Sequence, residues 1–267
     1  MRIALALLVS TFTFAAAAQQ THDVIVPMAG AARVLIPVAG STPGGGGTFL
    51  RSDVHLINLR DVAQRVELHW MPQGGVGGTS VRTLDVPALS GIYSEDFVAN
   101  IMNEDGLGGI QVVGVTQSGL FDPAARLHVA SRIWTPRPDG ADGTYSQSFP
   151  SVVLPLETES NIKAIFGLRH GVQHRLNIGI SNPSQASQTF RVTVRVSTLT
   201  GQETVQSEIV LGPMSIEQRG VTLSAEGVVQ VLVERIAGGS SEDWQVWASS
   251  VDNDSGDAWS NLGFPVE

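Results

Sequence analysis

"FLRSDVHLINLRDVAQRVELHW" (49–70) and "QHRLNIGISNPSQASQTFRVTV" (173–194) align without a gap, and this pairing decides the fold. Arg51 falls on Arg175, Asp53 on Asn177, Leu56 on Ile180 and Asn58 on Asn182. Other stretches follow in the same order: "GGIQVVGV" (108–115) with "GVVQVLVE" (227–234), and "VASRI" (129–133) with "WASSV" (247–251). The units also start alike, "VLIPV" (34–38) and "VVLPL" (152–156), and end alike, "SFPSV" (148–152) and "LGFPV" (262–266). A constant order at a nearly constant offset is the mark of an internal duplication.

Periodicity then names the elements. Val66, Leu68 and Trp70 alternate with Arg65, Glu67 and His69; Phe190, Val192 and Val194 alternate with Thr189, Arg191 and Thr193. A period of two with one apolar face is a half-buried strand. Ile110–Val115 and Val228–Val233 are nearly continuous apolar runs suited to central strands. Turn chemistry, such as "NPSQ" (182–185) and "PDGADG" (138–143), punctuates the chain at short intervals. Pro37 and Pro155 place their strands at sheet edges or bulges. One short helix is expected at "EDFVANIM" (95–102), capped by Ser94. The expected fold class is all-β: two tandem β-sandwich domains of the immunoglobulin-like kind, over 19–150 and 151–267.

The opening "MRIALALLVSTFTFAAAA" (1–18) has a charged start, a short apolar core and small residues at its end. It reads as a cleaved secretory signal peptide, and the apolar part is short of the roughly 20 residues a spanning helix needs. The expected location is the periplasm or the cell exterior, with no membrane span after cleavage. There is no cysteine, which excludes disulfides and thiolate chemistry. The formal charge of -9 argues against nucleic acid and against anionic lipid.

"VLIPVAGSTPGGGGTFLRSDVHLIN", "SRIWTPRPDGADGTYSQSFP" and "SVDNDSGDAW" resemble segments of uncharacterised exported bacterial proteins with tandem β-sandwich repeats. The resemblance covers most of the chain and implies the architecture; no activity or catalytic residue comes with it.

Several residues invite a chemical reading. The glycine run Gly44–Gly47 lacks the lysine and the following helix of a phosphate cradle, and a strand pattern succeeds it, so it reads as an inter-strand loop. In "DNDSGD" (252–257), Asp252, Asp254 and Asp257 offer hard oxygens for calcium. The spacing departs from an EF-hand, and the same residues favour a plain turn. Asp139 and Asp142 occupy the matching place in the first copy. Trp134, Trp244 and Trp259 are candidate surface aromatics for stacking on a sugar, with Arg132 beside Trp134 as an anion-binding cation. Trp70 and Trp247 read as core. His170 and His174 lack a zinc-binding helix, and His128 with Ser131 lacks a nucleophile elbow. Paired acids such as Glu95/Asp96 and Glu157/Glu159 could serve a glycosidase, and nothing in the sequence distinguishes them from surface charge.

These observations point to a non-catalytic exported protein that binds a protein or glycan, or serves a structural role. The alternatives are a carbohydrate-binding or carbohydrate-active hydrolase and a periplasmic chaperone-like module.

Overall fold

The computed structural model describes residues 30–77, 80–137, 140–154, 160–199, 201–238 and 244–266. The segment 1–18, Asp139, Pro155, Glu157 and Glu159 lie outside the described residues.

The protein is all-β, with antiparallel pairing between its strands. In copy one, β1 (Arg33–Pro43), β2 (Phe49–Asn58), β3 (Gln64–Pro72), β4 (Val81–Val86) and β5 (Gly91–Ser94) precede β6 (Gly106–Val115), β7 (Leu127–Pro136), β8 (Thr144–Phe149) and β9 (Val152–Val153). In copy two, β10 (Ile162–His170), β11 (His174–Asn182), β12 (Gln188–Ser197), β13 (Gln202–Leu211) and β14 (Ser215–Val221) precede β15 (Gly227–Ala237), β16 (Gln245–Asp252), β17 (Ala258–Leu262) and β18 (Phe264–Pro265).

The order β13-β12-β15-β10-β18 forms the larger sheet of copy two, and β14-β11-β16-β17 the smaller. Copy one repeats both: β4-β3-β6-β1, with β9 on β1, and β2-β7-β8, with β5 on β2. There the hairpin β1–β2 joins the two sheets through Thr42↔Leu50 and Pro43↔Phe49. Each sheet pair encloses its own apolar core. One is built on Val66, Leu68, Trp70, Ile110 and Phe97; the other on Phe190, Val192, Val194, Val231 and Trp244.

The copies match in detail. Asn58 donates to the carbonyl of Val62 at 2.8 Å and accepts from the amide of Arg60; Asn182 does the same with Ala186 and Ser184. Both side chains are buried, and each closes the turn after its strand. β1 slips register between Ile36 and Ala39, and β10 slips alike between Ile165 and Leu168. Pro37 sits in the first of these bulges, where its missing N–H costs no ladder bond.

The structure revises three local expectations. The counterpart of "VLIPV" in β1 is β10, not "VVLPL": Val152 and Val153 form β9, which pairs with Leu35 and Val34 and so completes copy one. Val129 corresponds to Val246, because both lie opposite the matched pair Leu56 and Ile180. The repeat in this strand is therefore one residue away from the "VASRI"/"WASSV" alignment, and a shift of one residue exchanges the faces. The short helix is a π-helix, Val98–Met102, and Ser94 does not cap it: the carboxylate of Asp96 takes the amide of Ala99 at 3.4 Å.

A third apolar cluster joins the copies. The outer face of the larger sheet of copy one supplies Leu35, Val38, Met71 and Val152. The smaller sheet of copy two supplies Ile216 and Trp247, with Met214 from the turn before it. Trp247 is buried as expected of a core residue, but in this interface rather than inside its own sandwich. Its indole covers Gly179, where a Cβ would stand 2.1 Å from Cε2 and Cζ2. Its ring meets Phe149 edge-on at 5.2 Å. Backbone bonds add direction: Gly74 and Gly77 donate to the carbonyls of Ile216 and Pro213, both at 3.0 Å, and Ser181 Oγ donates to that of Pro37 at 2.8 Å. The four sheets thus form one stack with three apolar layers.

Overpacking the middle layer has a defined effect. Gly179→Ala is expected to cost about 1–3 kcal/mol by displacing the indole. Trp247→Ala is expected to cost about 3–5 kcal/mol by leaving a cavity. Because the two sites share one space, the double variant should lose less than the sum; urea unfolding of the three variants checks this.

Candidate functional site

The two copies leave a cleft of about 730 Å³ at one end of their interface. Copy one contributes the glycine hairpin from Thr42 to Thr48 and the end of the β7–β8 hairpin, with Trp134, Tyr145 and Gln147. Copy two contributes Arg175, Asn177, Gln218 and Ser249, with Asn253 and Asp254 from the "DNDSGD" turn. Phe149 and Trp247, from the interface cluster, also border it.

The glycine run forms a closed hairpin turn. Gly44 N–H donates to the carbonyl of Thr48 at 2.9 Å, Thr48 Oγ1 to that of Gly45 at 2.8 Å, and Gly47 has φ 79°. A strand follows it, not a helix, as the sequence pattern indicates. The corresponding connection in copy two is the tight turn at Gly171, whose N–H bonds the carbonyl of His174. The longer hairpin therefore gives copy one a wall that copy two lacks.

The "DNDSGD" turn is organised by its first residue. Asp252 Oδ1 accepts from the amides of Ser255 at 2.7 Å and Asp254 at 3.0 Å, and from Ser255 Oγ at 2.9 Å. These bonds hold the Asp252 carboxyl below its usual pKa, the Ser255 amide contributing most. Asp257 accepts from the amide of Ala258. Among the described residues no three His, Cys, Asp or Glu side chains are grouped to hold a metal ion, so Asp252, Asp254 and Asp257 do not converge. Gly256, at φ 76°, brings the turn beside Tyr145 of copy one: a Cβ there would stand 3.7 Å from Tyr145 Cδ2.

The other predicted residues separate. Arg132 and Trp134 come together on Asp53: Arg132 Nε lies 2.7 Å from Asp53 Oδ2, and the Trp134 indole N–H donates to Asp53 Oδ1 and to the carbonyl of Glu95. Asp53 is almost fully buried, so Arg132 neutralises a buried carboxylate rather than standing free for a ligand. Trp134 still borders the cleft. Trp244 is not a surface aromatic: it is 2% exposed, in the core of copy two, 5.0 Å from the Phe190 ring and under the ammonium of Lys163 at 4.5 Å. Trp259 packs partly on that core, and its indole N–H donates to Gly167 O at 3.2 Å.

Sequence reading missed Tyr145, Gln147 and Asn177. The glycine run and the "DNDSGD" turn meet across the cleft, a juxtaposition that the sequence does not show. Two buried donors there have no protein acceptor, Trp247 Nε1 and Gln147 Nε2. Such groups are uncommon in interiors and carry a desolvation cost. The polar side chains named around the cleft are neutral apart from Arg175 and Asp254, and Asp254 is the only carboxylate among the described lining residues.

Asp252 makes the turn sensitive to acid. Its folded pKa is depressed, so its contribution to stability is full above the unfolded value near 4 and is lost as pH falls through the lower folded value. The difference in melting temperature between the native protein and Asp252→Ala should be present at neutral pH and shrink below about pH 4. A difference that persists unchanged at low pH would contradict this role.

No protein-family model and no curated protein matches the chain. Among the solved structures that resemble it weakly are the following two. One, from Thermotoga maritima, is described as Thermotoga maritima 1070; it has 12% identity, covers 40% of this chain and 96% of that chain, and superposes with a TM-score of 0.33. The other is the Pleurotus ostreatus lectin in its apo form, at 11% identity, covering 91% of this chain and 81% of that chain with a TM-score of 0.16.

Proposed function

We propose that this is a non-catalytic exported binding protein and that its ligand is a neutral, oxygen-rich molecule of the glycan class, held in the cleft between the two copies. The observation that carries the reading is a cleft of about 730 Å³ whose lining joins aromatic residues, Trp134 and Tyr145, to neutral amides. Volumes of this size suit a ligand of a few sugar rings, since ligand pockets commonly span about 300–1,000 Å³. Trp134 and Tyr145 offer aromatic surface, and Asn177, Gln218 and Asn253 offer amides that both donate and accept. The single lining carboxylate, Asp254, does not make the two-carboxylate arrangement that glycoside hydrolysis uses. The leader-like residues 1–18 support export to the compartment where glycans are met.

A panel of neutral oligosaccharides, screened by thermal shift and followed by titration calorimetry, tests the proposal. At least one member should raise the melting temperature. Gln147→Ala and Tyr145→Ala, both on copy one, should weaken its binding by roughly tenfold or more each. Asn253→Ala, across the cleft, should weaken it as well. Absence of any shift, or binding unaffected by all three substitutions, refutes it.

A further inference from the structure

The contact between the copies is heterologous: the outer face of a larger sheet meets the outer face of a smaller one. A heterologous contact consumes one surface of each kind and leaves one of each kind at the ends. Copy two turns its own larger sheet outward, and copy one its own smaller sheet. If these ends had no partner, they should be polar where the buried faces are apolar.

They are not. On copy two, Val228 holds the position of Leu107 and Phe264 that of Val152, as the shared pairing on β1 and β10 shows. Val152 lies in the buried interface cluster with Leu107 packed against it; Val228 and Phe264 are 59% and 47% exposed. Phe166, 44% exposed, stacks on Phe264 at 5.5 Å and extends the patch. On copy one, Leu89 holds the position of Met214. Both take the same unusual backbone, φ 48°, yet Met214 is buried in the interface and Leu89 is 72% exposed. Tyr93, 48% exposed and stacked on His55 at 4.3 Å, lies on the same strand edge.

The sizes of facing groups are exchanged rather than lost. Within the chain, Ile216 Cγ2 sits 3.1 Å from where a Gly109 Cβ would stand. At the ends the corresponding residues are Gly91 and Gln230. Likewise the cross-strand pair Gly179↔Trp247 becomes His55↔Ala130. Several positions turn polar, among them Arg195 for Met71, Gln230 for Gly109 and Asn261 for Phe149, which makes the end surface less apolar than the internal one.

We propose that the outer face of the larger sheet of copy two docks the outer face of the smaller sheet of copy one of a second molecule of the same chain. The chain thereby extends its internal stack head to tail. The association is weaker than the internal contact and depends on concentration.

Sedimentation velocity over a roughly hundredfold concentration range tests this, because contacts of modest area give reversible association. The native protein should gain mass with concentration. Leu89→Asp and Phe264→Asp disable opposite ends, so each alone should stay monomeric. Their equimolar mixture should recover pairs and no longer species, since one intact surface remains on each. Both side chains are exposed, so melting temperatures should match the native protein; Tyr93→Asp and Val228→Asp repeat the design if either variant unfolds. A native protein that stays monomeric throughout overturns the proposal. So does association that survives either substitution, or a mixture no heavier than its components.

Discussion

The Trp247 indole covering Gly179, with Phe149 of the other copy at its edge, is the constraint on which the remaining architecture depends. A sheet in a sandwich ordinarily buries one face and wets the other. Here the face that should be wet is buried as well, so β16 is buried continuously from Gln245 to Val251. The interface aligns the two sandwiches, the backbone bonds from Gly74 and Gly77 hold that alignment, and the cleft is the space left where the apolar contact ends.

The duplicated copies have kept their insides and changed their outsides. The Asn58 and Asn182 turns, the paired bulges and the alternating core residues coincide almost atom for atom in their bonding. Outward positions differ: the ion pair Asp53–Arg132 is replaced by Asn177 opposite Ser249. The first pair closes on itself on an outer face; the second, neutral pair faces the cleft. A common scaffold has thus been given one self-paired charged surface and one neutral surface that lines the cleft, by exchanges at matched places.

Much of the fold was legible because alternation is a direct image of a half-buried strand. β3 and β12 were readable from Val66–Leu68–Trp70 and Phe190–Val192–Val194, and the gapless match of β2–β3 to β11–β12 holds in the structure. The one-residue slip in β7 and β16 has a physical cause. With both faces of β16 buried, its adjacent polar residues Ser249 and Ser250 do not alternate and so do not mark its parity, and the shared Ala-Ser pairs at 130–131 and 248–249 pull the alignment one place off. Trp244 was misread because it precedes its strand, where no period applies, although it fills the core. The cleft was not legible at all. Its walls are outer faces of two different copies, and nothing in a single repeat indicates which outer faces meet. Arg132 and Trp134 were correctly grouped as neighbours, but their buried partner Asp53 lies far away in sequence.

The glycine hairpin and the "DNDSGD" turn belong to different copies, and this has a thermodynamic consequence. Any molecule held between them touches both copies at once, so its binding free energy is also free energy of docking one sandwich on the other. By reciprocity, a change that loosens the Trp247 layer must weaken affinity even when it touches no lining group, and a bound ligand must tighten that layer in return. A molecule bound there would in this sense be a strain gauge for the joint, reporting and setting how firmly the two halves of the molecule are held together.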